Sequence, residues 1–279
     1  MVRSQKTQHP SRMSQKHPLL ELDKVSIRFG GLLAVADLSI SIGEKQLIGL
    51  IGPNGAGKTT VFNLITGVYS PTSGDVRVDG VSIAGHNAPQ RCVLGLARTF
   101  QNIRLFASMT VLDHLRCALQ RHFPQASMWQ ALWRSSAYQQ AEKSIDQAAM
   151  ELLELFDLQS CAHELAVSLP YGDQRRLEII RALATRPRLL LLDEPAAGMN
   201  PTEKETLMRL IQFIQHHFGI SVLLVEHDMK VVMGICQRVI VLEQGCKIAE
   251  GSPSEIQRDP RVIAAYLGSD ENEPAIQHA

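Results

Sequence analysis

Residues 52–60, Gly52-Pro53-Asn54-Gly55-Ala56-Gly57-Lys58-Thr59-Thr60, place three glycines, one lysine and two hydroxyls in nine positions. This is the pattern GxxxxGK[ST]. Its glycines let the backbone curl so that successive N–H groups point inward at an anion. A helix starting near Lys58 adds about half a positive charge at its N-terminus. The Lys58 ammonium is suited to the β- and γ-phosphates of a nucleotide, and the Thr59 hydroxyl to Mg2+.

Two acids follow 135 residues later, at the end of Leu189-Leu190-Leu191-Leu192-Asp193-Glu194. If both lie on a strand they face opposite ways and take different roles. Asp193 then suits the Mg2+ shell, and Glu194 the attacking water as general base. Glu226-His227-Asp228 ends a further apolar run, Ile220 to Val225. Ligands of doubly wound sheets gather at the carboxyl ends of strands, so His227 is placed to contact the γ-phosphate. The other nine histidines sit in polar or terminal contexts and read as solvated surface.

The elements that must hold these groups alternate. Gln46 to Ile51 reads as a buried strand and Lys58 to Thr66 as the helix after it. Arg188 to Asp193 and Ile220 to Val225 are strands separated by a helix over Glu203 to Phe218. The alternation predicts an α/β fold with a mostly parallel sheet covered on both faces. Val76 to Val78, Arg238 to Leu242 and Lys247 to Ala249 read as hairpin strands beside the turns Asp79-Gly80 and Gln244-Gly245. From Thr110 to Asp157 strand signal gives way to helix formers, which predicts an inserted α-helical subdomain over roughly 102–172. Residues 1–17 and 269–279 read as polar tails around one domain over 18–268.

Composition bounds the function. The chain has 279 residues, 45% hydrophobic and 20% charged, with a formal net charge of zero. That balance lacks the basic footprint of a nucleic-acid binder. Five scattered cysteines without a CxxC pair fit a reducing compartment. No run approaches the roughly 18 apolar residues of a membrane-spanning helix. Arg3, Lys6, Arg12 and Lys16 with no apolar core argue against a secretory signal at the N-terminus.

Together these residues resemble the ABC ATPase family, in order from about Leu20 to Leu267. Gln101, in Arg98-Thr99-Phe100-Gln101-Asn102, is similar to the glutamine that joins Mg2+ and γ-phosphate and borders the transmembrane partner. Leu169-Pro170-Tyr171-Gly172-Asp173-Gln174 resembles a variant of the LSGGQ signature, Ala197-Gly198-Met199-Asn200 the D-loop, and His227 the switch histidine. Phe29, 23 residues before Gly52, resembles the aromatic that stacks on adenine.

Departures accompany the match. Pro170 replaces the signature serine and supplies neither hydroxyl nor N–H. Tyr171 replaces a glycine, Asp173 a glutamine, and Asn200 the D-loop aspartate. Gly172 and the start of a helix over Arg175 to Ala184 remain as phosphate donors.

The resemblance implies a P-loop NTPase core with an antiparallel β subdomain, and ATP hydrolysis with Mg2+. It implies phosphate contacts from Tyr171, Gly172 and Asp173 across a dimer. Arg28-Phe29-Gly30-Gly31-Leu32, Tyr171-Gly172-Asp173-Gln174-Arg175-Arg176-Leu177-Glu178-Ile179 and Ala264-Ala265-Tyr266-Leu267-Gly268 resemble the ATP-binding subunits of branched-chain amino-acid importers. Relatives that carry urea, amides or other amino acids share much of the pattern. The implied partners are two hydrophobic permease subunits, a sister ATP-binding subunit and, indirectly, a periplasmic or extracellular solute-binding protein. The implied location is the cytoplasmic face of the bacterial inner membrane.

Two features stay open in the sequence. Trp129 and Trp133, four residues apart, suit packing within the helical stretch or an interface. Arg175, Arg176 and Arg181 suit a solvated helix surface, phosphate steering or acids on a second subunit.

Overall fold

The computed structural model describes residues 17–123 and 136–270. Trp129 and Trp133 lie outside them, as do residues 1–16 and 271–279. The strands are β1 (Leu20–Phe29), β2 (Leu32–Ile42), β3 (Leu47–Ile51), β4 (Ser73–Val78), β5 (Val81–Ser82), β6 (Leu96–Arg98), β7 (Leu189–Asp193), β8 (Ser221–Val225), β9 (Arg238–Glu243) and β10 (Cys246–Gly251). The helices are α1 (Lys58–Thr66), α2 (Ala88–Val93), α3 (Val111–Leu119), α4 (Ser136–Leu155), α5 (Tyr171–Ala184), α6 (Pro201–Phe218), α7 (Met229–Ile235), α8 (Pro253–Ile256) and α9 (Pro260–Asp270).

The main sheet runs β10-β9-β3-β8-β7-β6, with β3, β6, β7, β8 and β9 parallel and β10 antiparallel at one edge. Every residue of β3, β7 and β8 is buried. Their uninterrupted apolar runs follow from this, since a parallel sheet is covered on both faces. The strand alternation divides the runs between two cores. Ile48, Leu50, Leu189, Leu191, Leu223 and Val225 join one, with β1, β2, β4 and α1. Leu47, Ile51, Leu190, Leu192, Val222 and Leu224 join the other, with the helical side of the molecule. Helices α3, α4 and α5 all contribute to that second core.

A four-stranded sheet, β2-β1-β4-β5, is antiparallel throughout. The sequence passed over β1 and β2 because their alternation is interrupted. Lys24 and Asp37 take left-handed backbone conformations, with φ of 48° and 46°, and the pairing shifts register between Leu22 and Val25. The turns Asp79-Gly80 and Gln244-Gly245 have positive φ at both residues. That is the geometry which matches a two-residue hairpin to strand twist. The helix expected over Arg175 to Ala184 begins four residues earlier, at Tyr171. Pro170 is its N-cap, and the Pro170 carbonyl accepts from Asp173 N (3.0 Å) and Gln174 N (2.9 Å). A proline is acceptable there because a helix start leaves its first N–H groups unpaired anyway.

One buried cation fixes α1, the helix that follows the glycine-rich loop. Arg91, 3% exposed, donates from Nη1 to the Leu64 and Ile65 carbonyls and from Nε to the His86 carbonyl. It satisfies carbonyls that the end of α1 leaves open. Burial lowers its pKa. Arg91→Met keeps the bulk and removes the donors, and is expected to reduce the unfolding free energy by about 3 kcal/mol. Urea denaturation of the variant checks this.

Candidate active site

The carboxyl ends of β3, β8, β7 and β6, adjacent in that order, each deliver one part of the site. β3 leads into residues 52–57, β8 into Glu226 and His227, β7 ends at Asp193, and β6 leads through Thr99 to Gln101. Parallel strands necessarily bring these ends to one edge of the sheet, where the buried runs stop and polar groups can be held.

The glycine-rich loop is built for close approach. Gly52 has a φ of 151°, and a Cβ there would lie 2.1 Å from the Leu242 carbonyl oxygen. Gly57 has a φ of 97°, and its Cβ would lie 2.8 Å from the Ala34 carbonyl oxygen. Gly57 caps α1 without any side-chain hydrogen bond, which leaves the first N–H groups of the helix open to an anion. Lys58 is buried, and its Nζ donates to the Gly52 (2.7 Å) and Pro53 (2.9 Å) carbonyls. Burial lowers the lysine pKa, while Glu194 and Asp193 act in the opposite direction. The ammonium therefore rests on the loop it would serve.

A cleft of about 660 Å3 lies over this loop, lined by Phe29, Leu32, Leu33, Asn54 to Thr60, Glu194 and Gln244. Phe29 stands at the end of β1, 42% exposed, with its ring edge-on to Tyr69 at 5.0 Å. The structure thus brings Phe29, Asn54, Gly55, Ala56, Gly57, Lys58, Thr59, Thr60 and Glu194 around one space.

Asp193 and Glu194 do point to different partners, although for another reason than strand alternation. β7 ends at Asp193, and Glu194 turns away with a left-handed φ of 46°. Such a conformation is uncommon for a residue with a Cβ and is found where surrounding structure enforces it. The Glu194 N–H donates to the Val225 carbonyl (2.9 Å). Its carboxylate accepts from Gln101 Nε2 (2.8 Å), and His227 Nδ1 lies 3.7 Å away. Asp193 instead pairs with Arg98 at 2.8 Å, and both side chains are nearly buried. Arg98 also donates to Asn63 Oδ1 of α1 (2.6 Å) and lies over the Phe100 ring.

The supporting roles of several residues escaped the sequence reading. Glu226 is fully buried and accepts from Ala196 N (2.7 Å), which holds the segment after Glu194; burial raises its pKa. Asp228 caps α7 and pairs with Lys204 of α6 at 2.6 Å. Asn200 caps α6 in a reciprocal pair with Glu203, which gives it a local use in the place of the expected aspartate. Arg98 and Glu226 stood beside Gln101 and His227 in the motifs, but nothing local in the sequence marked Asp193 or the Ala196 N–H as their partners.

Tyr171, Gly172 and Asp173 do not line the cleft of their own chain. Gly172 and Asp173 border a separate hollow of about 260 Å3 with Met199 and Glu203, and the Tyr171 hydroxyl donates to the Ala197 carbonyl (3.0 Å). Among the described residues, no helix is long and apolar enough to cross a membrane.

Known proteins resemble this chain in sequence and in fold. The family model described as ABC transporter matches residues 35–197, and one described as branched-chain amino acid ATP-binding cassette transporter matches residues 246–272. The chain is 46% identical to the high-affinity branched-chain amino acid transport ATP-binding protein BraF of Pseudomonas aeruginosa, over 90% of this chain and 98% of that protein. It is 43% identical to LivG of Escherichia coli, a protein of the same description, over 92% of this chain and 99% of that one. Among solved structures, the ADP conformation of MJ1267, an ATP-binding cassette of an ABC transporter, superposes with a TM-score of 0.76 at 29% identity, over 90% of this chain and 98% of that one. The loop, the two acids, the histidine and the glutamine thus occur in one order, on one sheet edge, in a chain that belongs to the ATP-binding cassette family of ABC transporters.

Proposed function

We propose that this chain binds and hydrolyses ATP to drive import of branched-chain amino acids through separate permease subunits. The observation that carries the reading is the convergence of the glycine-rich loop, Lys58, Glu194, Gln101 and His227 on one strand edge. The cargo rests on the likeness to BraF and LivG at 43–46% identity along nearly the whole chain. The match of residues 246–272 supports it further.

The geometry supports the following chemistry. Water attacks the γ-phosphorus in line, and the bond to the β-γ bridging oxygen breaks, giving ADP and phosphate. Lys58 and the open N–H groups of the loop, residues 52–60, neutralise phosphate charge. Glu194 accepts the proton of the water. Gln101 and His227, both within reach of the Glu194 carboxylate, orient that exchange. Oxygen donors from Thr59, Gln101 and Asp193 suit Mg2+, a hard cation that keeps substrate phosphates and waters as further ligands. When bound it supplies charge neutralisation. Phe29 provides a face for adenine at the mouth of the cleft.

Tyr171, Gly172 and Asp173 face away from their own cleft, which suits contact with nucleotide on a second subunit. The start of α5 keeps N–H groups for that purpose. The sister subunit makes the dimer a heterodimer. A groove of about 730 Å3 lined by Phe100, Leu105, Phe106, Met109 and Arg104 adjoins Gln101. It suits a helix of a permease subunit, with the whole assembly at the cytoplasmic face of the inner membrane and a solute-binding protein on the other side.

Three substitutions separate the roles. Glu194→Gln is expected to lower turnover by on the order of 10²–10⁴ while ATP binding survives, and to accumulate an ATP-dependent dimer. Near-normal hydrolysis would remove Glu194 as the base. Lys58→Ala is expected to lose ATP binding altogether, read by nucleotide titration. Phe29→Ala is expected to raise the ATP dissociation constant roughly tenfold, from the scale of base–aromatic stacking. For the transport role, affinity purification from membranes should bring down two hydrophobic permeases and a second ATP-binding chain. Recovery of ribosomes or DNA in their place would overturn it.

A further inference from the structure

Residues 100–104, which contain Gln101, are held by one face of α5. Arg175, Glu178 and Arg181 stand three residues apart on that helix and so share a face. Arg175 donates from Nη1 to the Phe100 carbonyl (2.7 Å) and from Nη2 to the Gln101 carbonyl (2.6 Å). Glu178 accepts from Arg104 N (3.2 Å), and Arg181 Nη1 donates to the Arg104 carbonyl (2.6 Å). Four backbone groups of one short segment are thus held by three side chains.

The centre of this grip is a buried ion pair. Arg175 and Glu178 meet at 2.8 Å, with side chains 0% and 1% exposed. Burying two charges costs more than their attraction returns unless further hydrogen bonds match them. The two carbonyls and the Arg104 N–H supply those bonds. A guanidinium is required for this, since its planar fork can serve two carbonyls and a carboxylate at fixed angles, whereas an ammonium is a point charge on a flexible stem. The same arginine approaches the Tyr171 hydroxyl at 3.5 Å, and that hydroxyl holds Ala197, three residues beyond Glu194.

We infer that Arg175 is a positioning residue for the hydrolytic reaction, acting on Glu194 through Gln101. Arg175 fixes the backbone at Gln101, and the Gln101 side chain in turn donates to Glu194. The start of α5, which carries Tyr171 and Gly172, and the carboxylate that faces the water are thereby joined by a continuous chain of hydrogen bonds inside one subunit. A change in the orientation of α5 moves Gln101 with it and alters the hold on Glu194. Arg175 itself lies outside the cleft over the glycine-rich loop, and its effect reaches that cleft only at Glu194. This inference rests on the reading of Glu194 as the base.

The test is a double-mutant cycle on the full-length chain, in the assembly in which the wild type hydrolyses ATP. Arg175→Met combined with Glu178→Leu removes both charges together and leaves neither buried alone. Turnover is expected to fall by on the order of 10–100-fold, the scale on which small displacements cost rate. The ATP dissociation constant is expected to stay within about twofold of wild type, so the loss is in kcat. In a Gln101→Ala background the same pair of substitutions should cost less than about twofold more, since the route through Gln101 is already cut. Unchanged turnover, or a full further loss in the Gln101→Ala background, overturns the inference. If the double variant does not fold, Arg175→Lys is put through the same cycle with the same two readings. Glu194→Gln run alongside separates the failures. If it hydrolyses normally, the base assignment and this inference fall together; if it is dead while the Arg175 variants are normal, only the inference falls.

Discussion

A sheet that is dry on both faces constrains everything else in this protein. β3, β7 and β8 bury every residue, and their side chains divide between two apolar cores. Polar chemistry has no place along such strands, because an unpaired polar group there would cost several kcal/mol. It is forced to the edge where the strands end. Parallel pairing then makes the ends of β3, β8, β7 and β6 neighbours. Residues far apart in the chain, from Lys58 to His227, meet because hydrophobic runs of similar length stop at the same level.

The same low-polarity surroundings explain how the buried cations are held. Lys58, Arg91 and Arg175, together with the half-buried Arg181, each donate to main-chain carbonyls. These carbonyls belong to loops and helix ends that no regular structure satisfies. Each cation therefore completes a segment of backbone and is itself made tolerable by it. The glycine-rich loop, the end of α1 and the segment around Gln101 are all fixed in this way. Between α5 and the Glu194 carboxylate, the Arg175 guanidinium and the Gln101 side chain form a hydrogen-bonded link.

Departures in the signature segment make sense within this arrangement. Pro170 costs nothing at the N-cap of α5, and its carbonyl accepts the first hydrogen bonds of that helix. Tyr171 supplies a hydroxyl that glycine could not, and uses it on Ala197 within the same chain. The substitutions strengthen contacts inside one subunit while the N–H groups at the start of α5 stay available.

By itself the sequence determined the buried strands, the phosphate loop, the two acids and the histidine, because apolar periodicity and glycine spacing are local properties. It also marked Phe29 and Gln101 through their order along the chain. The tertiary structure decided how the charges are used. Glu194 differs from Asp193 through a left-handed backbone step that the Val225 carbonyl and neighbouring chain enforce, which alternation along a strand could not foretell. Arg175, which the sequence left between a solvated helix surface, phosphate steering and acids on a second subunit, is wholly buried against carbonyls about 75 residues away. Arg98 reaches Asp193 across 95 residues. A side chain's charge is written in its residue type, but its partner is a backbone group whose position depends on the packing of the entire sheet, and so it exists only once the chain has folded.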